Sequence, residues 1–257
     1  MSGPDAVVVE QRGAVRHIRL NRPAVRNAID PATSILLERA FLDFEAEAAS
    51  HVAVLSGAGD DFCAGADLKA LAAGESYRIA PDGPGPLGPT RLELSKPVVA
   101  AIRGHAVAGG LELALWADLR VADTTAVFGV YCRRWGVPLI DGGTWRLPRL
   151  IGLSRALDLI LTGRAVHAEE AHAIGLAQRL VPDGEALSQA LALAERIAAL
   201  PQACLRADRR SAHENFGAEA FEAFGREISN ARNVLDEARA GAGRFAAGAG
   251  RHGADPA

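Results

Sequence analysis

The chain has 257 residues, enough for one large domain or a domain with an appendage. At 49% hydrophobic and 23% charged it has the make-up of an ordinary folded protein, and a net charge of −3 gives no electrostatic case for binding nucleic acid. Its apolar runs are too short and too interrupted to span a bilayer, and three widely spaced cysteines, Cys63, Cys132 and Cys204, suit reduced thiols in a cytoplasm better than a disulfide frame or a zinc site.

Residues 1–10 carry neither a basic n-region nor an apolar h-region, so no signal peptide is expected and a cytoplasmic location is. Residues 7–10 and 14–20 read as strands joined by a turn at 11–13. Asn21-Arg22-Pro23 ends the second strand. Asp30 reads as an N-cap with Pro31 at the first helical position, and the helix runs to about residue 48. Residues 52–56 form a short apolar strand and 57–61 a loop. Phe62-Cys63-Ala64-Gly65-Ala66-Asp67-Leu68 follows, with Asp67 placed to cap a helix. Residues 74–90 are rich in Gly and Pro and form the least structured internal segment.

The stretch 96–123 organises the rest. Residues 97–102 are a β-branched, apolar run that reads as a buried strand. Gly104 breaks it, and Ala108, Gly109 and Gly110 lead into the helical LELALWA. Glycines between a strand and a helix let backbone approach a ligand closely. The helix start leaves N–H groups unpaired and carries partial positive charge, which suits an oxyanion. Glu112, three residues past Gly109, can sit beside whatever that N–H binds. A carbonyl polariser beside a carboxylate is a workable site for acyl chemistry.

Beyond it, 126–130 reads as a strand, and a helix over 145–151 follows Gly142-Gly143-Thr144. Ser154 reads as the cap of a helix over 155–161, and His167-Ala168-Glu169-Glu170 starts another. Residues 176–181 read as a strand. Helices over 187–200, 201–214 and 217–240 and a Gly/Ala-rich tail at 241–257 complete the chain. Strands alternate with helices to about 181 and helices alone follow. This predicts an α/β body over 1–186 with a helical C-terminal region over 187–257.

Each candidate has a plainer role beside its chemical one. Glu112 lies in an otherwise apolar helix, where a carboxylate is costly unless used or paired. Asp141 is either a turn residue before Gly142-Gly143 or a carboxylate facing the site. Cys132 reads as a small buried thiol rather than a nucleophile. His105 reads as a packed structural histidine. Arg133-Arg134 is either a phosphate contact or a solvated pair.

Four motifs in order resemble the crotonase superfamily of enoyl-CoA hydratases and isomerases: Asn21-Arg22-Pro23 with Asn27-Ala28; Phe62 to Leu68; Gly104-His105-Ala106-Val107-Ala108-Gly109-Gly110-Leu111-Glu112-Leu113; and Pro138 with Gly142-Gly143-Thr144. The resemblance implies a crotonase-like ββα spiral core with a C-terminal helical trimerisation region, assembled as a homotrimer or a hexamer made of two trimers. It implies an acyl-CoA thioester substrate, no separate cofactor and no metal, with neither nucleic acid nor membrane as partner. Its oxyanion hole falls on the N–H groups of Ala66 and Gly109. Its CoA contacts fall on Arg26, Ala64, Ala66, Asp67, Leu68, Lys69 and Gly109. Glu112 matches the first of two hydratase glutamates, whereas the second falls on Cys132. Asp141 lies near the position where dienoyl-CoA isomerases and an aromatic acyl-CoA dehalogenase carry a catalytic aspartate. The expected activity is hydration or isomerisation of an enoyl-CoA by Glu112 and Asp141. The alternatives are another isomerase or lyase on the same enolate logic, or an acyl-CoA-binding protein without turnover.

Overall fold

The computed structural model describes residues 6–232 together with 234, 235 and 237. Strands Val7–Arg12 (β1) and Val15–Leu20 (β2) form an antiparallel hairpin. Its turn is tighter than 11–13: Gly13 and Ala14 alone make it, with Gly13 at φ 56°. Strands Val52–Gly57 (β3), Val98–Ile102 (β4), Leu119–Asp123 (β6) and Arg179–Val181 (β9) extend the hairpin in parallel. The order is β1-β2-β3-β4-β6-β9. Every residue of β4, VVAAI, is buried, as expected of a parallel strand covered on both faces. A second, three-stranded sheet joins His105–Val107 (β5), Val127–Gly129 (β7) and Val166–His167 (β8).

The two stacks follow one rule. A strand of the large sheet is followed by a short extended piece and then a helix. β2 leads through a bridge at Ile29 to helix Pro31–Ala46 (α1). β3 leads through bridges at Cys63 and Ala66 to helix Leu68–Ala72 (α2). β4 leads through β5 to helix Gly109–Trp116 (α3), and β6 through β7 to a 3₁₀ turn, Tyr131–Trp135. Bridges Ile29–Ala66 and Cys63–Ala106 stack the extended pieces in register with β5 and β7. The expected ββα spiral is present. Three of its strands, β5, β6 and the two-residue β8, have no counterpart in the expected elements. β5 is only three residues long, and β6 follows α3 so closely that its LRVAD reads as part of the same run.

Helices Gly143–Ile151 (α4), Leu153–Thr162 (α5), Ala168–Ala173 (α6), Ala186–Ala198 (α7), Gln202–Glu214 (α8) and Ala220–Arg232 (α9) complete the described chain. Asp30 caps α1 as expected, its Oδ1 accepting the Thr33 N–H at 2.8 Å. Ser154 does not cap α5. Gly152, at φ 85°, both ends α4 and opens α5, which leaves Ser154 inside the helix. The last helix starts at Ala220 rather than 217, and most of its expected continuation to 240, with the 241–257 tail, lies outside the described residues. Although helices alone follow the last strand along the chain, α7 turns back to cover the large sheet. Its Ala190, Leu193 and Ala194 pack on Val15, Val54, Val99 and Val121, the second face of the large sheet. The other face packs against α1 and α3 around Phe41, Leu55, Ile102 and Leu111.

Two buried cations finish the helices. Lys96 Nζ donates to the carbonyls of Phe44 and Glu47 at 2.8 and 2.7 Å, at the end of α1. Arg120 closes α3, with Nη1 reaching the Ala114 and Ala117 carbonyls at 3.1 and 2.7 Å and Nε the Leu176 carbonyl at 2.8 Å. Burial alone would push such a guanidinium toward neutrality, so its three acceptors matter. Arg120→Met strips those carbonyls of their donor and is expected to destabilise the fold by about 3 kcal/mol. A lower urea midpoint at unchanged slope is the expected result.

Candidate active site

The site is built where α3 begins. Ala108, just before it, holds φ 54° and ψ −127°, a type II′ turn conformation that costs a residue with a Cβ about 1–3 kcal/mol. Its N–H donates to the Gly129 carbonyl at 2.8 Å, which fixes the turn to β7. The loop carrying Gly65 and Ala66 lies directly against this turn. A Cβ on Gly65 would stand 2.6 Å from the Gly109 nitrogen, and one on Gly110 would strike the Cys63 carbonyl. Glycine at these positions is what lets the two chain segments meet. Among the described residues, neither the Ala66 nor the Gly109 N–H donates a hydrogen bond.

The Asn21-Arg22-Pro23 and Asn27 motif holds that loop in place. Asn27 is buried and donates to the carbonyls of Ala58 and Asp61 at 2.9 and 2.6 Å while accepting the Arg22 N–H at 2.9 Å. Arg22 reaches the Ala28 carbonyl and pairs with Asp67 at 3.1 Å and Asp30 at 3.2 Å. Asp67 in turn caps α2 through the Lys69 and Ala70 N–H groups.

Glu112 is 2% exposed. Its Oε1 accepts the N–H groups of Asp141 at 2.9 Å and Gly143 at 2.8 Å, which joins α3 to the start of α4. Burial, and then the neighbouring Asp141 charge, push its carboxyl up to about 7 against the pull of those two N–H donors. Asp141 is 3% exposed. Its Oδ1 accepts the Leu87 N–H at 3.0 Å and the Thr90 hydroxyl. Burial raises its carboxyl too, opposed by Thr90, Leu87, Arg91 and Arg146. Among the described residues, Glu112 Oε2 and Asp141 Oδ2 accept no hydrogen bond. Two coupled carboxylates, each with one oxygen anchored and one free, can hold and pass a single proton.

The structure thus brings the loop of Ala66, the α3 start with Gly109 and Glu112, and Asp141 together from three successive turns of the spiral. Ala64 lies on the same loop, its N–H donating to the Arg26 carbonyl at 2.9 Å. The Arg26 side chain is exposed and lies 3.6 Å from Asp61, and Leu68 and Lys69 are exposed on α2. Cys132 is buried near Glu112, and burial followed by that carboxylate raises its thiol, so it stays protonated. His105 pairs with Asp61 at 2.6 Å. Arg133 and Arg134 bind the Ile160 and Gly163 carbonyls at the end of α5 rather than facing the site. Three contributors carry no sequence signal. Leu87 and Thr90 come from the Gly- and Pro-rich segment, and Arg146 spans from the Asp141 carbonyl at 3.0 Å to that of Thr90 at 2.7 Å. A Cβ on Gly109 would run into the Leu87 side chain, so Leu87 closes over the helix start.

The ββα spiral is the fold of crotonase-type enzymes. Residues 10–247 match the enoyl-CoA hydratase/isomerase family, and the chain belongs to it. It is 37% identical over 257 residues to the enoyl-CoA hydratase EchA19 of Mycobacterium tuberculosis, covering 95% of this chain and 94% of that protein. It is 41% identical over 189 residues to the carnitinyl-CoA dehydratase of Proteus mirabilis, covering 73% of this chain and 72% of that protein. The crystal structure of enoyl-CoA hydratase EchA1 from Mycobacterium marinum superposes with a TM-score of 0.88 at 39% identity, covering 94% of this chain and 95% of that one. Among the described residues, no helix is long and apolar enough to cross a membrane.

Proposed function

We propose that this protein adds water to the double bond of an enoyl-CoA thioester, the Glu112–Asp141 pair handling the proton. The observation that carries this reading is that pair beside two backbone N–H groups that, among the described residues, have no acceptor. The thioester oxygen accepts the Ala66 and Gly109 N–H groups, which draw electron density from Cβ and stabilise the enolate. A water oxygen bonds to Cβ as Asp141 takes its proton. The Cα–Cβ π electrons move into the enolate, and Glu112, whose carboxyl is pushed up to about 7, delivers its proton to Cα. Transfer of the proton from Asp141 to Glu112 resets the pair. Exposed Arg26, Leu68 and Lys69, with half-buried Ala64, bind the CoA moiety, and Asp67 holds the loop that carries Ala66.

Cys132 favours a second reading. It stands beside Glu112 where a two-glutamate hydratase has its second acid, which suits a shift of the double bond by proton transfer alone. The two readings part on crotonyl-CoA hydration against isomerisation of a 3-enoyl-CoA.

Glu112→Gln and Asp141→Asn are each expected to lower kcat by about 10²–10⁴-fold with CoA-ester binding retained, because the oxyanion hole is backbone. The active pair carries one proton. kcat/KM therefore follows a bell, falling at low pH as the pair gains a second proton and at high pH as Glu112 ionises near 7. Initial rates across pH check both points. An Asp141→Asn variant as active as the wild type would sink the reading.

Oligomerisation as a trimer or dimer of trimers is part of the same proposal. Leu153, Leu157 and Leu161 form an exposed stripe on α5, at 63%, 41% and 71% exposure, and Trp145 on α4 is exposed as well. Light scattering at micromolar concentration is expected to give the mass of three or six chains, and a monomer would contradict it.

A further inference from the structure

We propose that Thr90 is a positioning residue, whose hydroxyl holds Asp141 as the proton acceptor of the pair. The proposal rests on the role for Asp141 given above. Thr90 is fully buried, and its hydroxyl has one proton to donate, which goes to Asp141 Oδ1. The Leu87 N–H donates to the same oxygen at 3.0 Å, so Oδ1 is engaged twice and Oδ2 is left to the reaction. Arg146 locks the arrangement from behind by binding the Thr90 and Asp141 carbonyls together. Gly85 keeps the contact open. A methyl there would collide with the Thr90 hydroxyl and stand 2.7 Å from Asp141 Oδ1. Gly85 has no positive φ, so space rather than backbone strain requires the glycine.

The charged and titratable groups around Asp141 are Glu112 on α3, Arg91 in the 3₁₀ turn Pro89–Arg91, Arg146 on α4 and the Cys63 thiol on the oxyanion-side loop. A donor to a carboxylate favours its ionised form, so removing the hydroxyl makes Asp141 easier to protonate. The low-pH limb of kcat/KM then moves to higher pH.

The experiment is the pH profile of kcat/KM on crotonyl-CoA for wild type, Thr90→Ser, Thr90→Val, Gly85→Ala and Asp141→Asn, with CoA-ester binding measured alongside. Thr90→Val is expected to move the low-pH limb up by about one pH unit and to lower kcat/KM at that limb about tenfold. Binding stays unchanged. Thr90→Ser restores the wild-type limb. Gly85→Ala retains the hydroxyl but drives a methyl between it and Asp141, and it shifts the limb as Thr90→Val does. A limb unmoved in Thr90→Val and Gly85→Ala, with Asp141→Asn still impaired, overturns the role of Thr90 alone. So does a Thr90→Ser variant that behaves like Thr90→Val. Full activity in Asp141→Asn overturns the underlying reading and this one with it.

Discussion

The structure turns on one buried carboxylate oxygen. Glu112 Oε1 lies inside the core, where an unpaired carboxylate is expensive, and it takes two backbone N–H groups from a single loop. That requirement fixes more than Glu112. It draws residues 141–143 against the first turn of α3, and so delivers a second carboxylate to the same place. It also dictates glycine at 143, since a Cβ there would stand 2.9 Å from Oε1. The two acids are neighbours because one needs the other's backbone. Burial, and then the nearby Asp141 charge, lifts Glu112 toward neutrality, and both follow from that geometry.

Around this point the molecule divides into a stiff part and a thin one. The parallel strands, buried on both faces, and the helix ends sealed by Lys96 and Arg120 hold α3 in a fixed orientation. The side facing Asp141 is closed by the short buried run from Gly85 to Thr90, through the Leu87 N–H and the Thr90 hydroxyl, with Arg146 tying that run to the Asp141 carbonyl. The site therefore sits between a sheet scaffold and a short buried strap that is itself neither strand nor α-helix.

Much of this was legible in the sequence, and the reasons differ by element. The glycine run before Glu112 was readable because only glycine permits such close packing, and Asp30 with Pro31 announced α1 through cap chemistry. Asp67 was rightly read as a cap. β5, β6 and β8 were hidden because strands of three, five and two residues beside a helix give too little periodicity. Ser154 had the chemistry of a cap, but the backbone at Gly152 decided the boundary. Thr90, Leu87 and Arg146 lay beyond sequence reasoning because their roles arise from contacts across 51, 54 and 56 residues. Nothing local marks them. The Arg22 motif was visible, but its work of tying Asp30 to Asp67 was not.

These separations have a consequence for how the chain reaches its working state. Glu112 meets its two N–H partners across 29 and 31 residues, and Asp141 meets Thr90 and Leu87 across 51 and 54. Closing such loops costs chain entropy before any contact repays it. The hairpin of β1 and β2 and the helices can form from near neighbours, whereas the paired acids exist only once three distant segments have docked. During refolding, circular dichroism should therefore recover ahead of turnover. A newly made chain can be largely structured and still be chemically silent.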